Sequence, residues 1–329
     1  MATAKVWLMR NYHDPAIAEF LGQHLDVDIY DSHITPPHDL IMQKANECDA
    51  FLPEGIDIID AEVLDNATRL KVIGNRAVGT DNVDIPAATR NGILLTNTPG
   101  ILQDACADMT FALLLSAARQ VTRSDRDIRA GKWTVFNQTP WLGLDAYNKT
   151  IGIFGFGGIG QKVARRAAGF DMRVIYHSRT RKPEAEKELG AEWQGDFKTF
   201  LQESDFVSFH CPLTDETRGI MGEAEFGMMK SSAILINMAR GPVVQSKALY
   251  DALVNNAIAG AAIDVTDPEP IPIDDPLLGL DNLIVTPHIG SASAATFKAM
   301  GLMASRNIIA DLNGEKVEFA VNPEAVANR

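Results

Sequence analysis

The residues GFGGIG at Gly155–Gly160 close the run TIGIFGFG (Thr150–Gly157) and lead directly into the helical pattern QKVARRAAGF. Glycines at this spacing leave the chain few local arrangements. Gly155 allows a tight turn, Gly157 lets the backbone approach a ligand, and Gly160 lets the helix pack close to the strand. The helix then begins with free N–H groups and a partial positive charge aimed at the turn, which is a seat for a pyrophosphate. A strand–turn–helix of this kind belongs in a parallel sheet and predicts a bound dinucleotide.

The rest of the chain fits that frame. Short β-branched runs recur with helical patterns between them: VWLM (Val6–Met9), VDIY (Val27–Tyr30), AFL (Ala50–Leu52), VIG (Val72–Gly74) and ILLT (Ile93–Thr96). Pro99-Gly100 ends this first block, and a helix is expected from Ile101 to about Ala118. An irregular stretch from Thr122 to Thr150 follows, with Trp133, Phe136, Trp141 and Tyr147 along it. Aromatics on a loose arm need a surface to cover them, so the arm reads as a subunit contact, with an irregular loop folded on its own chain as the plainer alternative. Alternation resumes at Thr150 and continues through RVIYH (Arg173–His177), FVSFH (Phe206–His210), AILIN (Ala233–Asn237), GAAID (Gly260–Asp264) and LIVTPH (Leu283–His288). These six strands suit a doubly wound sheet, and a last helix is expected from about Ser293 to Asn313.

Length and charge narrow the partners. The chain has 329 residues, enough for two domains of ordinary size. With 30 Lys plus Arg against 43 Asp plus Glu, the formal charge is −13, which disfavours nucleic acid and anionic membranes as partners. The longest apolar runs, such as Phe111–Leu115, fall short of the roughly 20 residues that a membrane span needs. No secretory leader pattern opens the sequence, so a cytoplasmic protein is expected. Cys48, Cys106 and Cys211 are far apart, which points to buried thiols and to neither a disulfide framework nor a metal site.

The choice of dinucleotide rests on the end of the next strand. An NAD enzyme places an acid about 20 residues after the glycine turn, to hold the ribose 2′-hydroxyl. Here the sequence reads Tyr176-His177-Ser178-Arg179-Thr180-Arg181-Lys182. Charge-assisted hydrogen bonds of about 1.5–3 kcal/mol each favour a 2′-phosphate roughly tenfold or more. NADP(H) is therefore expected, with NAD(H) bound more weakly; a solvated basic loop is the plainer alternative.

Three ionisable residues follow at strand ends: Arg240 after AILINMA, Glu269 in DVTDPEP, and His288 after LIVTP. In open α/β sheets ligands bind at the carboxyl ends of strands. Hydride transfer to a 2-oxo acid needs a cation for the carbonyl and carboxylate, a proton donor, and an anion to keep that donor charged. Arg240, His288 and Glu269 meet those needs in that order.

The sequence resembles the D-2-hydroxyacid dehydrogenase family over almost its whole length. The likeness lies in AVGTDNVD (Ala77–Asp84), TNTPG (Thr96–Gly100), GFGGIGQ, HCPLTDETRG (His210–Gly219), NMARG (Asn237–Gly241), DVTDPEP (Asp264–Pro270) and TPHIGSA (Thr286–Ala292). Within the family it is most similar to glyoxylate/hydroxypyruvate reductases, through SRTRKP and through DVTDPEPIPIDDPLL ahead of PHIGSA. The resemblance implies two doubly wound parallel-sheet domains of Rossmann and flavodoxin type, with an active-site cleft between them. Residues 1–98 and 290–329 would form the substrate-binding domain and residues 99–289 the dinucleotide-binding domain, the chain assembling as a homodimer.

It also implies roles for single residues. Arg240 would bind and polarise substrate, Glu269 would raise the histidine pKa, and His288 would be the acid/base. The N–H groups of Val78 and Gly79 would cradle the substrate carboxylate, and Asp264 would meet the nicotinamide carboxamide. Further coenzyme contacts fall on Gly158, Ile159, Ser178, Arg179, Thr180, Arg181, Cys211, Pro212, Thr217, Met238, Ala239 and Gly290. His210 reads as a strand residue near the coenzyme and not as a catalyst.

Leu52 and Pro53 are expected to line the substrate cleft, and Trp141 to reach in from a partner subunit. Arg76 departs from the family pattern, which carries a less charged residue there. It reads as a surface ion pair or as a group that recognises a polar substrate tail. The expected activity is NADPH-dependent reduction of a small 2-oxo acid, glyoxylate or hydroxypyruvate, to the D-2-hydroxy acid. A larger 2-oxo acid such as 2-ketogluconate or a branched 2-keto acid is the enzymatic alternative. A dinucleotide-sensing binding protein is the non-enzymatic one.

Overall fold

The computed structural model describes residues 3–11 and 14–328, and the chain divides into two compact units, one of Met1–Leu102 with Ser293–Arg329 and one of Gln103–Ala292. In the first unit β1 (Lys5–Leu8), β2 (Asp26–Ile29), β3 (Ala50–Leu52), β4 (Val72–Gly74) and β5 (Leu94–Thr96) form a parallel sheet in the order β2-β1-β3-β4-β5. This is the flavodoxin-like doubly wound order. Side chains alternate between the faces of a strand, and here both faces are covered. Trp7, Phe51, Ile73 and Leu95 enter one core, and Leu8, Leu52, Val72 and Leu94 enter the other. The long helix Ala294–Leu312 closes the second core with Ala304 and Ile308, its start capped by the Ser293 side chain.

This packing corrects the expectation for Leu52. Its side chain has 0% exposure and packs in the cluster that holds Leu8, Ile17 and Ile308, so it is core and does not line a ligand cleft.

The second unit contains β6 (Thr150–Phe154), β7 (Arg173–His177), β8 (Ala191–Trp193), β9 (Phe206–Phe209), β10 (Ile234–Asn237), β11 (Gly260–Ile263) and β12 (Leu283–Val285). All pairs are parallel, in the order β12-β11-β10-β9-β6-β7-β8. The order reverses at β6 and β9, and the turns after these two strands open a crevice in this unit. Ile151, Ile153, Ile234 and Ile236 pack on one face, while Phe154, Val207, Phe209 and Leu235 pack on the other.

Two elements differ from expectation. β8 is a seventh strand of only three residues, two of them exposed, and so carries no readable periodicity. The stretch from Thr122 is not wholly irregular, because Val121–Arg129 is helical. That helix is hard to read because its only buried residue is Asp127, which accepts from Lys132 Nζ at 2.6 Å and from Trp141 Nε1 at 3.0 Å. Trp133, Phe136, Leu142 and Tyr147 after it are each more than half exposed. No helix among the described residues is long and apolar enough to cross a membrane.

Candidate active site

The glycine turn has the geometry that a dinucleotide needs. Gly155 has φ +93°, and a Cβ there would stand 2.7 Å from the carbonyl carbon of His210, so a side chain is barred by conformation and by space. A Cβ on Gly160 would stand 2.3 Å from the Gly155 oxygen, which sets how closely the helix approaches the strand. Gly157 begins the helix Gly158–Ala167 with no capping side chain, and nothing lies within 4 Å of where its Cβ would be. No described residue accepts from the N–H groups of Gly158 or Ile159, as a pyrophosphate site requires, although the Gln103 side chain lies where a Cβ on Gly158 would stand.

Across the crevice, the loop after β9 is knitted by Thr217, whose Oγ1 donates to the Pro212 oxygen at 2.8 Å and accepts from Thr214 N at 2.8 Å. Cys211 is buried, which pushes its thiol up to about 12. His210 pairs with Ser208 Oγ at 2.8 Å, and burial pushes its imidazole down to about 3, so the ring is neutral. Met238 N donates to the Phe209 oxygen and Ala239 N to Asn237 Oδ1, which fixes the turn after β10.

The basic loop after β7 is less uniform than its sequence suggests. Arg179 and Thr180 are exposed, and Ser178 Oγ donates to the Thr180 oxygen at 2.8 Å. Among the described residues Arg179 makes no hydrogen bond or ion pair, though its charge helps lower the pKa of Glu216. Arg181, by contrast, is tied to Glu186, with Nε donating to Oε1 at 2.9 Å and Nη2 to Oε2 at 2.8 Å. The Arg181 guanidinium and the Tyr176 hydroxyl hold Glu186 down to about 2. The expectation that Arg181 serves a 2′-phosphate is corrected to that extent: its fork already has a carboxylate.

The three candidate catalytic residues follow β10, β11 and β12, which are neighbours in the sheet. His288 Nδ1 lies 2.6 Å from Glu269 Oε1, and Nε2 has no partner among the described residues. Both side chains are about one-third exposed, at 34% and 28%. A carboxylate on Nδ1 selects the tautomer that carries its proton there and directs Nε2 outward. Arg240 is half-buried; Nη1 donates to the Ala239 oxygen at 2.8 Å, and its carbonyl accepts from Asn237 Nδ2 at 3.0 Å. A Cβ on the next residue, Gly241, would stand 1.9 Å from the Thr266 oxygen, so the Arg240 turn presses against the base of the loop that carries Glu269.

Asp264, to which the resemblance gives a carboxamide contact, is also held within its own unit. It is 2% exposed, and its Oδ1 accepts from Thr286 Oγ1 at 2.6 Å and from Ile289 N at 2.9 Å. Its Oδ2 accepts from Gly290 N at 2.7 Å. His288, at φ +54°, sits inside this clamp and donates its own N–H to the Asp264 oxygen at 2.8 Å. A Cβ on Gly290 would stand 2.7 Å from Met238 Cε and 3.0 Å from Asp264 Oδ2, so the clamp packs against the turn after β10. Sequence reasoning missed the clamp; an Asp at a strand end two residues before Thr-Asp-Pro carries no mark of it.

In the first unit Val78 and Gly79 occupy the turn after β4, and no described residue accepts from either N–H. Arg76, just before them, is neither a surface ion pair nor aimed at solvent. Its side chain has 0% exposure, pairs with Glu54 and lies 3.4 Å from the centroid of Phe297. Trp141, expected to serve a partner subunit, donates its indole N–H to Asp127 of its own chain.

Residues 111–290 match the family model for the D-isomer specific 2-hydroxyacid dehydrogenase, NAD binding domain. The chain is 44% identical over 326 residues to a glyoxylate reductase of Korarchaeum cryptofilum, covering 99% of this chain and 98% of that one. It is 45% identical over 329 residues to a glyoxylate reductase of Thermococcus kodakarensis, covering 99% and 98%. The crystal structure of the TT0316 protein of Thermus thermophilus superposes with a TM-score of 0.90 at 40% identity, over 96% of this chain and 99% of that one. With the glycine turn and the paired histidine in place, the chain belongs to the D-2-hydroxyacid dehydrogenase family, oxidoreductases that use a nicotinamide dinucleotide.

Proposed function

We propose that the protein reduces a small 2-oxo acid, glyoxylate or hydroxypyruvate, to the D-2-hydroxy acid, with NADPH preferred over NADH. The observation that carries the reading is the His288–Glu269 pair at 2.6 Å beyond adjacent strand ends of the unit that holds the glycine turn. Relatives named glyoxylate reductase, similar over nearly their full length, support the substrate class.

When bound, the reduced nicotinamide supplies the hydride. Arg240 holds the substrate and draws electron density toward the carbonyl oxygen. His288, oriented through Nδ1 by Glu269, delivers the proton from Nε2 to that oxygen. The N–H groups of Val78 and Gly79 receive the carboxylate. Reduction consumes the proton on His288, and oxidation returns it. Arg179, with Ser178 beside it, is assigned to the 2′-phosphate, because no described carboxylate pairs with its guanidinium. The exposed aromatics between Trp133 and Tyr147 support a homodimer, and the three free, buried cysteines suit a reducing cytoplasm.

The test is a panel of 2-oxo acids of increasing size, assayed with both coenzymes. Glyoxylate and hydroxypyruvate with NADPH should give the highest kcat/KM. No coenzyme oxidation with any 2-oxo acid refutes the reading, and a preference for long or branched acids refutes its substrate assignment.

A further inference from the structure

The turn after β4 is held from outside through its carbonyls. Three successive ones each accept a hydrogen bond at 2.9 Å: Ala77 O from Thr98 N, Val78 O from Asn97 Nδ2, and Gly79 O from Asn75 Nδ2. In a planar trans peptide the C=O and the following N–H point in opposite directions. A held Ala77 carbonyl therefore aims the N–H of Val78, and a held Val78 carbonyl aims the N–H of Gly79. Neither of these N–H groups has an acceptor among the described residues.

The three anchors are not equivalent. Thr98 acts through its main chain. Asn75 is fully buried and paired with Asn82 at 3.1 Å, while Asn82 in turn donates to the Glu54 and Asp57 oxygens, so this anchor is part of the unit's core. Asn97 is half-buried at the end of β5, placed by its own N–H on the Phe319 oxygen at 3.3 Å. Its side chain alone holds the Val78–Gly79 peptide, which ends in a glycine and so turns most readily when released.

We infer that Asn97 is a positioning residue for carboxylate recognition, its side-chain amide holding the Val78–Gly79 peptide so that the Gly79 N–H faces the substrate. The inference rests on the assignment of the Val78 and Gly79 amides to the substrate carboxylate. Asn97 itself need not touch substrate. Its effect reaches the bound acid through the direction of one main-chain donor.

Asn97→Asp keeps the shape and removes the donor, and Asn97→Ala removes the group. Each variant should raise KM for glyoxylate about tenfold, the usual weight of one hydrogen bond to a charged group. The inhibition constant of oxamate, a non-reducible carboxylate analogue, should rise by the same factor. KM for the coenzyme and the thermal unfolding midpoint should stay at wild-type values, and kcat should change less than KM. A purely structural role would instead lower the unfolding midpoint and weaken coenzyme and substrate together, and that result overturns the inference. Wild-type reduction of glyoxylate with KM and oxamate inhibition unaltered in both variants overturns it alone. Failure of the wild-type chain to reduce any 2-oxo acid removes the parent reading and this one with it.

Discussion

Replacing Asp264 by Asn tests the claim that a buried carboxylate holds the loop that carries His288. The native group offers two acceptor oxygens to three donors, Thr286 Oγ1, Ile289 N and Gly290 N. An amide has one oxygen, so whichever way it is turned, the N–H of either Ile289 or Gly290 faces an NH₂ group. The Thr286 hydroxyl can rotate to suit either orientation; a main-chain N–H cannot. Leaving one buried donor unmet costs about 1–3 kcal/mol, and losing the charge on the remaining bonds brings the sum to about 2–4 kcal/mol. In a unit of this size each kcal/mol lowers the unfolding midpoint by about 2–4 °C, so a fall of about 5–15 °C is expected. His288 sits within the clamp at φ +54°, and a misplacement near 1 Å at a reacting group costs about a hundredfold. Scanning calorimetry and steady-state reduction of glyoxylate measure both effects. A variant with the wild-type midpoint and wild-type kcat would refute the clamp.

His288→Ala should lower kcat of reduction by about 10²–10⁴, the range for a general acid, with coenzyme KM preserved. Glu269→Gln keeps an acceptor for Nδ1–H but removes the charge, and should cost about tenfold to hundredfold in kcat without weakening coenzyme binding. Arg179→Ala should reduce the ratio of NADPH to NADH efficiency about tenfold or more, whereas Arg181→Ala should change it less, because Glu186 already engages that guanidinium. In the first unit Asp57→Asn should cost about 3–5 kcal/mol in urea unfolding, since it strips the counter-charge from a pair in which Asp57 is 0% and Arg10 8% exposed.

Much of the architecture was legible before any coordinates, because parallel strands buried on both faces must be apolar throughout. AFL, ILIN and GAAI are almost wholly apolar, and all form strands. AEW escaped because three residues show no periodicity, and the polar helix Val121–Arg129 because its two apolar residues, Val121 and Ile128, are each about half exposed. Leu52 was legible as strand but not as core. Both sides of β3 are apolar, and the side that meets the helix Ala294–Leu312 is set by residues far along the chain.

The site divides in the same way. The glycine turn is a local object, made by residues in sequence whose spacing is dictated by a strand, a turn and a helix, and sequence alone determines it. Arg240, Glu269 and His288 were visible as charged residues after apolar runs. That they follow neighbouring strands depends on β10, β11 and β12 lying side by side, a matter of strand order. Only tertiary packing decided that Arg76 is buried against Phe297 and that Asp264 grips the His288 loop. The reason is reach. Turn and helix geometry acts over a few neighbouring residues, whereas the partner of a charged side chain is whichever group the folded chain brings within about 3 Å.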